Sequence, residues 1–202
     1  MATATETYND AAQHTLPDGN LFYTGLLPDC VVFDRKQLEE VWAMHPDEYH
    51  LIMMHGREVP TPRWQQAYER DYHYTGRVNG ALPAPAVLKP LLAWAQEYID
   101  HQLNGLLLNW YDGKIGHYIG AHRDSTTNMV NGAPIVTLSF GEERIFRLRP
   151  WKRKGYHDFT VVDGSVCIMA YETNLAWTHE VPHFKRYKGR RISVTLRSFE
   201  KT

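Results

Sequence analysis

The chain has 202 residues, 43% of them hydrophobic, with 22 basic and 23 acidic side chains, a formal net charge of −1 and two cysteines. That length suits one domain with a sizeable core, and the near-neutral balance excludes a general polyanion-binding surface, so any such contact must come from local patches. Cys30 and Cys167 lie far apart, which excludes a disulfide framework and a thiolate zinc site, while no basic-then-apolar leader opens the sequence and no apolar run is long enough to span a membrane.

Residues 1–20 are polar and are expected to be loosely ordered. LFYTGLL (21–27) and VVF (31–33) read as short strands. Asp34 offers a helix N-cap with Gln37 at N3, and Leu38, Val41 and Trp42 follow at helical spacing. LIMM (51–54) reads as a further strand, after which residues 56–80 form a predicted loop region rich in arginine and aromatic side chains. Leu88, Leu91, Leu92, Ala95, Tyr98 and Ile99 make the apolar face of a helix predicted over 86–101. After Asn104 come β-rich runs broken by turn residues: GLLLNWY, KIGHYIG, PIVTLSFG, RIFRLRP, DFTVVD, SVCIMAY and RRISVTLRSF. The predicted fold is mainly β with flanking helices, an α+β arrangement around a jelly-roll (double-stranded β-helix) core, because many short strands follow one another without βαβ alternation.

Eleven histidines invite a metal hypothesis. HEVPH, at 179–183, matches the H-E-x-x-H pattern of zinc metalloproteases, which works only on a helix, where both histidines share a face. Pro182 argues against a helix, since it lacks the N–H and pushes Val181 toward an extended conformation. The segment is therefore read as extended, and His179 and His183 need not share a partner. His122-Arg123-Asp124 is more informative. On an extended segment residues i and i+2 point to the same side, so an imidazole and a carboxylate are offered together with Arg123 facing away. With one distant histidine they would complete a 2-His-1-carboxylate set that leaves positions open on Fe(II). In the last strand Arg191, Ser193, Thr195 and Arg197 alternate with apolar residues. An arginine fork on a polar inner face suits a carboxylate ligand, whereas a solvated edge strand is the plainer alternative.

The order N-x-Y (Asn109 and Tyr111), H-x-D (His122 and Asp124), a distant His179 and then R-x-x-x-x-x-R (Arg191 and Arg197) resembles the AlkB-type family of Fe(II)/2-oxoglutarate dioxygenases. The resemblance spans roughly residues 60–199, including the strand-turn-strand APIVTLSFGEERIF and the recognition region TPRWQQAYERDYHYTG. It implies that His122, Asp124 and His179 bind Fe(II) and that Asn109, Tyr111, Arg191 and Arg197 bind 2-oxoglutarate. It also implies oxidative dealkylation: O2 and 2-oxoglutarate are consumed, an N-alkyl carbon is hydroxylated, and the hemiaminal collapses to an aldehyde and the restored base. His183 is a candidate for orienting a ligand.

A base must leave its stack to reach a buried iron, and aromatic faces commonly hold it there. Tyr72 and Tyr74 best fit the family's Y-x-Y substrate segment, with Trp64 a further candidate. Arg63 and Arg123, together with Arg70, Arg77 and the Lys152-Arg153-Lys154 turn, could meet phosphates. Alkylated DNA or RNA is the expected substrate. The expectation is one dioxygenase domain over 21–202, with 21–103 as N-terminal extension and recognition region and 104–199 as jelly-roll core. It would be a monomer free of membranes, cytoplasmic, or nuclear or nucleoid-associated as a repair enzyme. The segment STTNMVNG after Asp124 departs from the acidic residues often found there in the family, which keeps open a small-molecule or protein side-chain substrate. A non-catalytic jelly-roll binding module is the alternative of another class.

Overall fold

The computed structural model describes residues 11–74 and 76–200. In chain order the strands are β1 (Ala12–Thr15), β2 (Leu21–Leu26), β3 (Leu51–Met54), β4 (Arg57–Pro60), β5 (Trp64–Tyr68), β6 (Tyr72–Tyr74), β7 (Arg77–Asn79), β8 (Gly105–Asp112), β9 (Ile119–His122), β10 (Ile135–Gly141), β11 (Arg144–Pro150), β12 (His157–Val161), β13 (Ser165–Met169), β14 (Trp177–Val181) and β15 (Arg190–Arg197). The helices are α1 (Arg35–Trp42), α2 (Lys89–Tyr98) and α3 (Tyr171–Ala176). The larger sheet runs β1-β2-β13-β10-β15-β8-β5 and the smaller one β12-β11-β14-β9, with β3–β4 and β6–β7 as separate hairpins. This is the mainly β, helix-flanked double sheet that the strand pattern predicts.

Period-two alternation decides what each face of the larger sheet does. On β15, Ile192, Val194 and Leu196 are wholly buried and join Leu106, Leu108 and Trp110 of β8 in the main core. α2 covers that face with Leu91, Trp94 and Ala95. The opposite faces of the two sheets enclose a second core that includes Phe22, Leu107, Ile135, Phe146 and Leu148, and the site opens within it. α1 starts where predicted. Gln37 N donates to Asp34 Oδ1 at 2.7 Å, and Asp34 N donates to Gln37 Oε1 at 2.9 Å, a complete capping box.

Several local expectations are corrected. Residues 1–10 lie outside the described residues, but Ala12–Thr15 of the supposedly loose N-terminus forms an edge strand on β2. Its polar side chains suit an edge with an exposed face. VVF (31–33) is a turn, not a strand: Val31 N bonds to Pro28 O at 2.8 Å, and Val31 and Phe33 are buried in the main core without sheet pairing. The predicted loop over 56–80 contains β4 to β7. His55 and Gly56 take positive φ (50° and 76°), as a two-residue type I′ hairpin between β3 and β4 requires. KIGHYIG is strand only from Ile119, and α3 occupies the end of the run read as a strand at SVCIMAY. The larger sheet also takes β1, β2 and β5 from outside residues 104–199.

Candidate active site

β9 and β14 are antiparallel neighbours, and their register sets His122 opposite His179. Asp124 follows two residues after His122, so the three side chains meet. Asp124 Oδ1 lies 3.5 Å from His122 Nε2 and 3.6 Å from His179 Nε2, and the three potential ligand atoms lie within 4.8 Å of one another. The Gly120 carbonyl accepts from His122 Nδ1 at 2.9 Å, which orients the ring so that Nε2 faces Asp124. The His179 ring stacks on Phe146 with centroids 5.4 Å apart. Burial, reinforced by His122, pushes its pKa down to about 3, so it stays neutral near pH 7. Burial opposes ionisation of Asp124, yet Arg197, His179 and His122 hold its carboxyl well below the usual carboxylate range. Two imidazoles, that of His179 neutral, and one ionised carboxylate on one wall are a donor set that fits Fe(II) and leaves coordination positions open.

β15 faces β8 in a register that pairs Arg191 with Tyr111 and Ser193 with Asn109, so these side chains enter the same cavity. Arg191 is 1% exposed and its guanidinium sits 5.0 Å from the Tyr111 ring centre. Nη2 donates to Ser139 Oγ at 2.9 Å, but among the described residues Nε and Nη1 have no hydrogen-bond partner. A buried fork with two unused donors is fitted to an anion of carboxylate shape. Arg197 lines the same cavity differently: Nη2 pairs with Asp124 Oδ2, and the guanidinium lies 4.4 Å over the Tyr72 ring. The two arginines, equivalent in the sequence pattern, thus divide into one open to a ligand and one tied to the carboxylate of Asp124.

The residues singled out for substrate scatter. Tyr72 is 4% exposed, and its hydroxyl donates to Asp124 Oδ1 at 3.3 Å. Tyr74 lines both the cavity and its mouth. Arg63, expected to meet phosphates, is instead buried in the cavity, where its Nε donates to Asn109 Oδ1 at 2.7 Å. Trp64, next in sequence, points to the other face of the sheet. It stacks on His45 at 4.1 Å and Tyr49 at 5.6 Å and packs on the main core, away from the cavity because strand neighbours alternate. Arg123 is exposed at the mouth, donating to the Leu175 carbonyl at 2.9 Å and lying 4.4 Å over the Trp151 ring. Glu180 accepts from Arg149 Nε at 2.7 Å, an ion pair between neighbouring strands turned from the iron ligands. His183 is exposed beside Tyr118, ring centres 5.5 Å apart, and does not line the cavity.

Sequence reasoning missed three residues. Trp151 rims the mouth, and its signal was a tryptophan set against the basic turn. Ser139 receives Arg191; nothing in its strand marks it. Gln65 is 2% exposed, and both its side-chain polar atoms lack partners among the described residues. Alternation from Arg63, with its register opposite Asn109, could have found it.

The model of the 2OG-Fe(II) oxygenase superfamily matches residues 36–197. The chain belongs to that superfamily. It is similar to the DNA oxidative demethylase ALKBH2 of Homo sapiens, with 26% identity over 191 residues covering 84% of this chain and 72% of that protein. For ALKBH2 of Bos taurus the identity is 28% over 159 residues, covering 72% and 56%. For the alpha-ketoglutarate-dependent dioxygenase alkB homolog 3 of Homo sapiens it is 31% over 188 residues, covering 87% and 55%. The oxygenase thus spans between about half and three quarters of the length of these relatives. Among solved structures OsALKBH1 matches with TM-score 0.58 and 12% identity over 93% of this chain and 100% of that one, a likeness of fold. The oxygenase is of AlkB type and uses Fe(II), 2-oxoglutarate and O2.

Proposed function

We propose that this oxygenase oxidatively removes alkyl groups from the ring nitrogens of nucleic-acid bases, DNA or RNA. One observation carries the proposal. A single cavity holds His122, Asp124 and His179 together with the unsatisfied Arg191 fork, and its mouth carries Tyr74 and the Arg123–Trp151 stack, a flat cationic rim suited to an extruded base and its phosphates. Four of the similar proteins carry the name DNA oxidative demethylase, which supports the reading.

Bound at His122, Asp124 and His179, iron with 2-oxoglutarate and O2 supplies oxidation of a C–H bond, with succinate and carbon dioxide as by-products. Every other task falls to the chain. Arg191 would hold one carboxylate of 2-oxoglutarate, with Tyr111 and Asn109 beside it and Arg63 fixing Asn109. Arg197 holds Asp124 ionised. Phe146, Ile135 and Leu107 exclude water from the cavity walls, and Tyr74 and Trp151 would orient the base so that its alkyl carbon meets the open side of the metal. The hydroxylated carbon then leaves: its O–H proton is lost, the C–N bond breaks with its electron pair to the base nitrogen, and an aldehyde departs. In the same reading residues 104–199 supply most of the catalytic core, which β2 and β5 complete, the β6–β7 segment of 21–103 supplies recognition, and the protein works as a monomer where nucleic acid is accessible, in the cytoplasm, nucleoid or nucleus.

Aerobic incubation with Fe(II), 2-oxoglutarate and N-methylated oligonucleotides tests this, following succinate, formaldehyde and methyl mass together. Matched loss of methyl and gain of succinate supports it. Succinate without methyl loss moves the chemistry to a small molecule or protein side chain, a reading favoured by the uncharged Ser125, Thr126 and Thr127 at the mouth. No turnover with metal and 2-oxoglutarate bound means that a different substrate is required to trigger turnover, and absence of both from the site would sink the catalytic reading.

A further inference from the structure

β6 sets one tyrosine against each of two candidate iron ligands. The Tyr72 hydroxyl donates to Asp124 Oδ1 at 3.3 Å, and the Tyr74 ring stands edge-on to His122 with centroids 5.8 Å apart. The two tyrosine rings stack at 6.0 Å and 14°. Tyr72 is poorly placed to hold a base, because it is buried and its ring already meets the Arg197 guanidinium at 4.4 Å as well as Tyr74. Tyr74 lines the mouth as well as the cavity.

The two oxygens of Asp124 have different surroundings. Oδ1 faces both histidine Nε2 atoms and accepts from Tyr72, whereas Oδ2 is taken by Arg197. With Arg197 on one oxygen, the carboxylate can still swing about its terminal torsion, which is broad for aspartate. A donor on the other oxygen restricts that swing and occupies one of its lone-pair directions. Tyr72 itself is well anchored. It pairs with Asn79, whose Oδ1 accepts from Ala67 N at 2.8 Å, and the preceding Asp71 caps Ala81 N at 2.8 Å.

We propose that Tyr72 is a positioning residue for the metal-binding carboxylate: its hydroxyl and Arg197 together fix Asp124 so that Oδ1 alone is offered to the metal. The role rests on His122, Asp124 and His179 holding the metal and is independent of a nucleic-acid substrate. The 3.3 Å hydrogen bond is weak, so its removal disturbs the direction of the carboxylate and leaves the fold intact.

Co(II) titration of the full chain, with and without 2-oxoglutarate, tests this in wild type, Tyr72→Phe and Tyr156→Phe. Tyr72→Phe keeps the ring contacts and removes only the hydroxyl. It should bind Co(II) about tenfold more weakly, the lower bound for loss of a ligand-orienting partner, with altered ligand-field absorption bands and an unchanged circular dichroism spectrum. Tyr156→Phe, which removes the same hydroxyl from an exposed tyrosine outside the cavity, should keep the wild-type bands and affinity. Wild-type affinity and bands in Tyr72→Phe overturn the proposal, as does a wild-type protein that binds no Co(II). Failure of wild type to dealkylate any oligonucleotide sinks only the substrate assignment, because the cobalt readout needs no substrate.

Discussion

Replacing Arg191 by methionine should change ligand binding and stability in opposite directions. The guanidinium is almost completely buried, and its Nε and Nη1 are unsatisfied without a ligand. Removing one partner of a buried, hydrogen-bonded charge pair costs about 2 to 5 kcal/mol of binding. At 1.4 kcal/mol per tenfold this weakens 2-oxoglutarate ~30- to ~4,000-fold. The protein without 2-oxoglutarate, by contrast, loses a buried cation with no anionic partner. Exchange of buried charge for an apolar side chain of similar volume is commonly neutral or stabilising, so the melting temperature of Arg191→Met should equal or exceed that of wild type. Thermal denaturation with and without 2-oxoglutarate, beside calorimetric titration, checks both. Wild type at one hundred times its Kd gains about 2.7 kcal/mol, or a rise of ~5–10 °C at ~2–4 °C per kcal/mol for a chain of this size, and Arg191→Met should gain almost none at the same concentration. Undiminished 2-oxoglutarate affinity in the variant would refute the assignment of the fork.

Asp124→Ala should abolish turnover and destabilise the fold by ~3–5 kcal/mol, since it strands the buried Arg197; His122→Ala, whose partner is a backbone carbonyl, should abolish turnover at smaller cost, and unchanged succinate formation in either sinks the metal site. Glu180→Gln should keep kcat within about twofold and lose at most ~1 kcal/mol, as for a partly exposed ion pair; a large loss of kcat would return Glu180 to the chemistry. Trp64→Ala should lower the melting temperature through lost packing while leaving the KM for an oligonucleotide substrate near wild type, and a raised KM without destabilisation would place Trp64 on the substrate. His179 has a folded pKa near 3 against an ordinary value of 6.5. A depressed histidine pKa favours the folded state above 6.5, and that stability drains away as pH falls toward 3. The metal-free protein should therefore lose melting temperature across that window, and His179→Gln should flatten the dependence; an equal slope in both would show that His179 is not its source.

Much of this molecule was written locally. Alternation along residues 191–197 fixed which side chains enter the core and which enter the cavity, because strand neighbours cannot share a face. The same rule joined His122 to Asp124 and, applied one step further, would have turned Trp64 outward and Arg63 inward. Pro182 kept the HEVPH segment extended, and the Asp34–Gln37 box set the start of α1. The region over 56–80 was misread because its strands are only three to five residues long, too short for a period to show.

Non-local pairing decided the rest. The register of β9 against β14 brings His179 to His122, and no property of either segment specifies that register alone. Only the packed cavity shows that Arg197 is tied to Asp124 while Arg191 keeps open donors, since the sequence gives both the same residue type on the same face. Trp151 reaches the mouth through the turn after β11, and Tyr72 reaches Asp124 through a hairpin anchored on β5. The sequence by itself determined the donor types and the face on which each lies. The tertiary structure decided partner and exposure, because burial and charge pairing depend on strands distant in the chain.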